Sequence, residues 1–121
     1  MTRTVALRAL AAFVALHGVA HLAGTTDLFG RAADGRAADL LFAAPSDPLV
    51  LRALGVAWAV VAVAYVVVAI SIWMRSPRWP ALLGWTTAVS LALAIVALWA
   101  TVIGALIDVA LLALVLARRR S

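Results

Sequence analysis

Apolar residues along this chain do not alternate with polar ones; they gather into long runs. Val5 to Gly24 is the first, interrupted by Arg8 and by His17 and His21. Pro48 to Trp73 is the second, with Arg52 as its one charge. Ala81 to Ala117 is the third, 37 residues with Asp108 as the single charge. A membrane-spanning helix needs about 20 mostly apolar residues, which the first two runs supply. As one helix the third would be about 55 Å long, against a hydrocarbon core of about 30 Å, so it must fold back. Its weakest helical stretch, with β-branched residues and a glycine, is Trp99 to Gly104, and the turn is expected there. The pattern predicts a single domain of the all-α class, an integral membrane bundle of four transmembrane helices with spans at about 5–24, 48–73, 81–98 and 103–117.

The connections are short except for 25–47. That outer loop holds a small duplication, Arg31-Ala-Ala-Asp34 followed by Arg36-Ala-Ala-Asp39, with Gly35 between the copies. The second copy leads into Leu40-Leu41-Phe42-Ala43-Ala44, which reads as a short amphipathic helix stopped by Pro45. The loop is either a lid over the outer end of the bundle or a solvated connector. Asp47-Pro48 is a helix start, with an acidic cap and a proline at the first helical position. Residues 73–80 form a basic hairpin whose tryptophans, Trp73 and Trp79, flank Arg75 and Arg78 as interfacial anchors do. The basic start and small residues near Ala20 and Ala23 also fit a signal peptide, but the segment is long for one and leads into further apolar runs.

Composition narrows the class. Hydrophobic residues make up 67% of the 121-residue chain and charged residues 12%, about half the usual share in soluble domains, so an ordinary soluble fold is excluded. There is no cysteine, which removes disulfides and thiolate metal sites. The net charge of +5 comes from arginine alone. The arginines cluster at the ends of apolar runs, so they point to membrane orientation and not to nucleic acid. With Arg3, Arg8, Arg75, Arg78 and Arg118 to Arg120 on the inner side, the positive-inside rule predicts a multi-pass protein of the cell (plasma) membrane with both termini cytoplasmic.

Ionisable groups inside a span are functional suspects. His17 and His21, at i and i+4, share one helix face. With the turn at 99–104, Asp108 and Arg52 each lie about one turn in from the outer side, and Asp27 lies just beyond the first span. His17, His21, Arg52, Asp108 and Asp27 are therefore expected to meet in the outer third of the bundle as a ligand-binding set. His17, His21 and Asp108 are also the candidate catalytic groups, as acid–base residues or a proton relay. His17 and His21 are the candidate ligands of a divalent metal, with Asp108 as a third. The plainer reading is polar glue between helices, with Asp108 and Arg52 as an ion pair. One haem bound axially by both histidines is excluded, since neighbours on one helix face cannot reach opposite sides of a macrocycle. Trp58, Tyr65, Trp85 and Trp99 read as packing or interfacial anchors, and Gly55, Ala59, Gly84, Ala88 and Gly104 as points of close helix approach.

Leu7-Arg8 followed by His17-Gly18, His21-Leu22 and Gly24 resembles the first-span signature of DoxX-like membrane proteins, which runs LR, an apolar stretch, then HG-x-x-K-L-x-G. Gly104 with Asp108 is similar to a weaker pattern in related small membrane proteins. His21 stands where the family has lysine, and a glutamate common in its second span is absent. The resemblance implies a four-span layout with an extended loop after the first span, and a link to membrane redox systems; some relatives are subunits of a thiosulfate:quinone oxidoreductase. The function expected is an accessory or ligand-binding subunit linked to a quinone system, in a larger membrane complex or a homo-oligomer, with a quinone or divalent metal as cofactor. The alternatives are an intramembrane enzyme using histidine acid–base chemistry on an apolar small molecule, and a small proton-coupled transporter.

Overall fold

The computed structural model describes residues 2–40 and 43–120, with the backbone alone at 98–101. Its four helices are α1 (Arg3–Asp34), α2 (Pro48–Trp73), α3 (Trp79–Val96) and α4 (Leu98–Arg120). The first three are each long and apolar enough to cross a membrane. Every helix buries one stripe at spacings of three and four residues, for example Trp79, Leu83, Thr87, Ser90 and Ala94 on α3, and Ala105, Asp108, Leu111 and Val115 on α4. The outward faces are also apolar: Leu16, Trp85 and Ile103 are 71%, 75% and 76% exposed. Hydrocarbon accepts such a surface and water opposes it, so this is a membrane protein.

The first helix does not end with its apolar run near Gly24. It continues to Asp34 through residues expected to be loop. Leu28 and Ala32 extend the buried stripe against Leu51 and Trp58, and Arg31 pairs with Asp27 one turn back at 2.8 Å. The helix closes at Gly35, which takes the left-handed conformation (φ 68°) that glycine adopts without steric cost. The connection is thus shortened to 35–47. Within it Leu40 and Ala43 are not helical: the Leu40 N–H donates to the Ala43 carbonyl and the Ala38 N–H to that of Pro45, in hairpin fashion. Leu41 and Phe42, the middle of the expected amphipathic helix, lie outside the described residues.

At the start of α2 the Asp47 side chain accepts from the N–H groups of Leu49 and Val50, as its position before Pro48 predicts. The α3–α4 break falls at Ala97, not at Trp99 to Gly104, which is helical. Thr101, Val102, Ile103 and Gly104 carry propensity penalties of about 1 kcal/mol or less each, whereas a backbone amide without a partner in hydrocarbon costs several.

α1 packs most extensively on α2 and α3 on α4, with α2 joined to α3. The α1–α2 contact is closest at Gly18, where an added Cβ would lie 2.6 Å from the Tyr65 Cβ and 3.1 Å from the Ala62 carbonyl oxygen. Gly55 likewise sits against Phe29, whereas Gly104 has nothing within 4 Å. One end of the bundle is basic. There Arg75 donates to Thr4 at 2.7 Å, Arg8 stacks over Trp73 and Arg118 over Trp79. The start of α1, the α2–α3 turn and the end of α4 therefore share that end. In the turn, Arg75 has φ 54° and the Ser76 N–H closes onto the Ser71 carbonyl. An arginine in this helix-ending position, usually glycine, costs about 1 kcal/mol.

Candidate functional site

Two apolar clusters fill the bundle, one around Val14, Tyr65, Leu83 and Val115, the other around Leu28, Leu51 and Trp58. Between them lies a buried polar layer of His17, His21, Thr87, Ser90 and Asp108. Its depth follows from counting along each helix. Starting at Arg8, Trp73, Trp79 and Arg118, which mark the basic end, His17 is nine residues in, Tyr65 eight, Ser90 eleven and Asp108 ten. At about 1.5 Å per residue the four counts agree on about 12–17 Å, halfway along the bundle. The polar layer is therefore not in the outer third. Asp108 is deeper than expected because α4 begins at Leu98 and includes the residues taken for the turn.

Asp108 is fully buried and joins all four helices. Its Oδ1 accepts from His17 Nε2 of α1 (2.8 Å) and from the Tyr65 hydroxyl of α2 (2.7 Å). Its Oδ2 lies 2.6 Å from Ser90 Oγ of α3, and the same Oγ lies 2.7 Å from His21 Nε2. His21 Nδ1 donates to the His17 carbonyl at 2.9 Å. No buried side-chain nitrogen or oxygen among the described residues lacks a partner.

Counting hydrogens constrains the charge. A carbonyl oxygen only accepts, so His21 Nδ1 carries a hydrogen. The Ser90 hydroxyl has one hydrogen and two contacts. If it donates to Asp108, His21 Nε2 must donate to it, and an imidazolium faces a carboxylate. If it donates to His21, Asp108 must carry the hydrogen, and both are neutral. With His17 donating to Oδ1, either arrangement leaves His21, Ser90 and Asp108 sharing one proton with no net charge. That is how a carboxyl group can lie halfway down the bundle with no arginine beside it. Arg52 is exposed on the first turn of α2 and makes no ion pair with Asp108, contrary to expectation.

Serine, histidine and aspartate also make up a hydrolytic triad, but here the order of contacts differs. In a triad the carboxylate orients the histidine. Here the serine stands between histidine and carboxylate, and a backbone carbonyl orients His21, so the serine is not set up as a nucleophile. A divalent ion is a closer case. Donor atoms of His17, His21 and Asp108 lie within 4.8 Å of one another, and the Nδ1 bond of His21 is typical of metal-binding histidines. Zinc places its donors about 2.0–2.1 Å away, hence no more than about 4.2 Å apart. The cluster would have to contract and give up its mutual hydrogen bonds, so its geometry suits a shared proton better than a metal.

Beside this layer, between α1 and α4, lies a cavity of about 540 Å³ lined by His17, His21 and Asp108 and walled by apolar residues such as Ala20, Ile103 and Ile107. A volume of this size suits a small molecule. Trp58 packs on His21, with ring centres 5.0 Å apart, and Tyr65 packs on both imidazoles. Asp27 lines the cavity too, but on its far side, exposed and paired to Arg31. A smaller cavity of about 290 Å³ adjoins it at Gly24, Asp27, Arg31 and Trp58, and is roofed by Ala38 to Leu40 of the connecting segment. The Arg31 guanidinium donates to the Ala37 carbonyl at 2.8 Å and ties that roof to α1.

Of the residues expected at the site, the fold brings His17, His21 and Asp108 into one network, puts Asp27 at its approach and leaves Arg52 out. Ser90 completes the network and was not anticipated. Tyr65, read as packing, supplies a hydroxyl to it. The available signal was that both are hydrogen-bonding groups inside otherwise apolar spans. Comparison of the chain with family models, curated proteins and solved structures finds no match.

Proposed function

We propose that this protein is a four-span subunit of the plasma membrane, α4 being the fourth span and both termini cytoplasmic, that binds a quinone-like apolar carbonyl compound between α1 and α4. The observation that carries this reading is the cavity of about 540 Å³ whose polar floor is His17, His21 and Asp108 and whose walls are apolar. A quinone has the matching shape: a flat apolar ring, an apolar tail and carbonyl oxygens that accept hydrogen bonds. Histidine can donate to such an oxygen by exchanging one bond of the network, such as that of His17 Nε2 to Asp108, for one to the ligand. The resemblance of the first span to DoxX-like proteins points the same way, toward an accessory role beside a larger membrane redox complex. α4 has the length for a span, about 34 Å from Leu98 to Arg120, and the end carrying most arginines belongs in the cytoplasm.

The test is binding of a short-chain quinone to the full chain in lipid nanodiscs, followed by tryptophan emission, since Trp58 lines the cavity. Saturable quenching, weakened about tenfold or more in His17→Ala, is expected, the loss of one hydrogen bond to a charged or polarised group being worth about 1.5–3 kcal/mol. Absence of saturation, or equal affinity in the variant, would overturn the proposal. The shared proton also favours a second reading, acid–base catalysis on an apolar carbonyl compound. That reading requires turnover that disappears in His21→Ala while the protein remains folded.

A further inference from the structure

We propose that the cavity beside the polar layer opens sideways into the bilayer between α1 and α4, and that its ligand enters there from the lipid, leaving any long apolar tail outside. The helices pack in chain order, α1 on α2, α2 on α3 and α3 on α4, and among the described residues α1 and α4 make little contact. The bond from His17 to Asp108 crosses this side at 2.8 Å, and the cavity of about 540 Å³ occupies the space next to it. Its rim is small or apolar, with Ala20 and Ala23 on α1 and Ile103, Gly104 and Ile107 on α4. Ala20, Ala23 and Ile103 are exposed although they line the cavity, so it is open between them. Counted from Arg8 and Arg118 at the basic end, Ala20 is twelve residues in and Gly104 fourteen. At about 1.5 Å per residue that is about 18–21 Å, inside a hydrocarbon core of about 30 Å. Leu16 and Leu106, both exposed, flank the opening with further apolar surface, which suits lipid and not water.

A second observation is Gly104. Glycine is the poorest helix former after proline, and nothing among the described residues comes within 4 Å of the Cβ it lacks, so close packing does not require it. It stands four residues before Asp108 and therefore on the same helix face, so a side chain there would project into the mouth of the cavity. The way in from water is the more obstructed one. Ala38 to Leu40 roof the adjoining smaller cavity, and Arg31, on the wall that the two cavities share, donates to Asp27 and to the Ala37 carbonyl, each at 2.8 Å. An apolar carbonyl compound already dissolved in the bilayer would reach the histidines without crossing that strap. For the identity of the ligand this rests on the quinone reading, so the opening is tested by a probe of its own.

The chain has no cysteine, so Gly104→Cys offers a single attachment point for a nitroxide label on the full chain in lipid nanodiscs. Relaxation of the label is measured with oxygen, which concentrates in hydrocarbon, and with a water-soluble nickel chelate. Strong relaxation by oxygen with little by nickel is expected. A label reached by nickel means that the cavity opens to water, and one reached by neither means that another copy or a partner covers the seam; either result overturns the proposal. The second measurement follows Trp58 quenching in time after a quinone is delivered within the bilayer to wild type, Gly104→Phe and Gly30→Phe. Gly30 has equally open surroundings but lies outside this cavity, so its variant should behave as wild type. Gly104→Phe should slow association about tenfold or more, within the 1–3 decades over which single changes alter association rates, and should slow release as well. Unchanged association in Gly104→Phe, or faster release, which crowding of the site itself would give, overturns the lateral route and leaves the quinone reading standing. Absence of quenching in wild type overturns the quinone reading, and the label then decides whether the cavity opens to lipid.

Discussion

Replacing Asp108 with asparagine is expected to cost the fold much less than replacing it with alanine, and the hydrogen count gives the reason. Asparagine can place its carbonyl oxygen where Oδ1 now accepts from His17 and Tyr65, and its amide nitrogen where Oδ2 now faces Ser90. The amide then donates to Ser90, and Ser90 donates to a neutral His21 Nε2. Every group keeps a partner, and the change is the loss of one proton from the network and of charge assistance to its bonds, for which about 1 kcal/mol is expected. Alanine instead removes three bonds and takes the acceptor from two donors, His17 Nε2 and the Tyr65 hydroxyl, while Ser90 can still donate to His21. At the average of about 0.6 kcal/mol for interhelical bonds in membranes the loss is about 2 kcal/mol; at the 1–3 kcal/mol of a stranded buried group it reaches about 6. Unfolding of both variants in mixed micelles by denaturant measures the difference. Nitrogen NMR of His21 locates the proton directly: Asp108→Asn should hold the neutral tautomer with its hydrogen on Nδ1, and wild type should show that tautomer if the shared proton rests on Asp108 and a ring protonated on both nitrogens if it rests on His21. Equal destabilisation by the two substitutions, or a His21 ring protonated on both nitrogens in Asp108→Asn, would refute the reasoning.

Gly18→Ala should destabilise by about 1–3 kcal/mol, the usual cost of overpacking, because its methyl group would lie 2.6 Å from the Tyr65 Cβ; denaturant unfolding measures this. Ser90→Ala removes the hydroxyl between His21 and Asp108, takes a partner from both and should cost about 1–3 kcal/mol in the same unfolding assay. Tyr65→Phe keeps the packing and loses the hydroxyl bond to Asp108, at a cost of about 0.5–2 kcal/mol measured in the same unfolding assay. Asp47→Ala removes the cap of α2 and should cost about 1 kcal/mol, while Asp47→Asn, which caps equally well, should be nearly neutral in thermal unfolding.

Long apolar runs were enough to read the helices, and i, i+4 spacing was enough to put His17 and His21 on one face. Asp47-Pro48 was a legible helix start because capping is local chemistry. The end of α1 was not legible from hydropathy: Thr25 to Asp34 is polar enough to look like loop, and what keeps it helical is Leu28 and Ala32 packing on α2, a tertiary effect. The turn at Ala97 was misplaced because propensities measured in water rank Thr101 to Gly104 as weak, whereas a membrane makes any break in hydrogen bonding costly. That error carried into the depth of Asp108 and its pairing with Arg52. Ser90 and Tyr65 were missed for another reason. When every face of a helix is apolar, no periodicity identifies the inward one, so a hydroxyl cannot be assigned to the core from sequence.

The polar layer also bears on the choice between glue and site. Four side-chain hydrogen bonds of 2.8 Å or less join the helices here, His17 to Asp108, His21 to Ser90, Ser90 to Asp108 and Tyr65 to Asp108, beside a longer one of 3.4 Å from Tyr65 to Thr87. At about 0.6 kcal/mol each they supply between 2 and 3 kcal/mol, which well-packed apolar residues of the same volume can match or exceed. Stability alone is therefore a weak reason to place two histidines and an aspartate halfway along the bundle. Glue has no use for open space beside it, yet His17, His21 and Asp108 all line a cavity with apolar walls. An apolar triple variant, His17→Leu with His21→Leu and Asp108→Leu, separates the two roles. If the cluster serves a ligand, the variant should fold at least as well as wild type and no longer bind quinone. If the cluster is glue, the variant should be less stable by the worth of the lost bonds, and quinone binding should be absent from wild type as well.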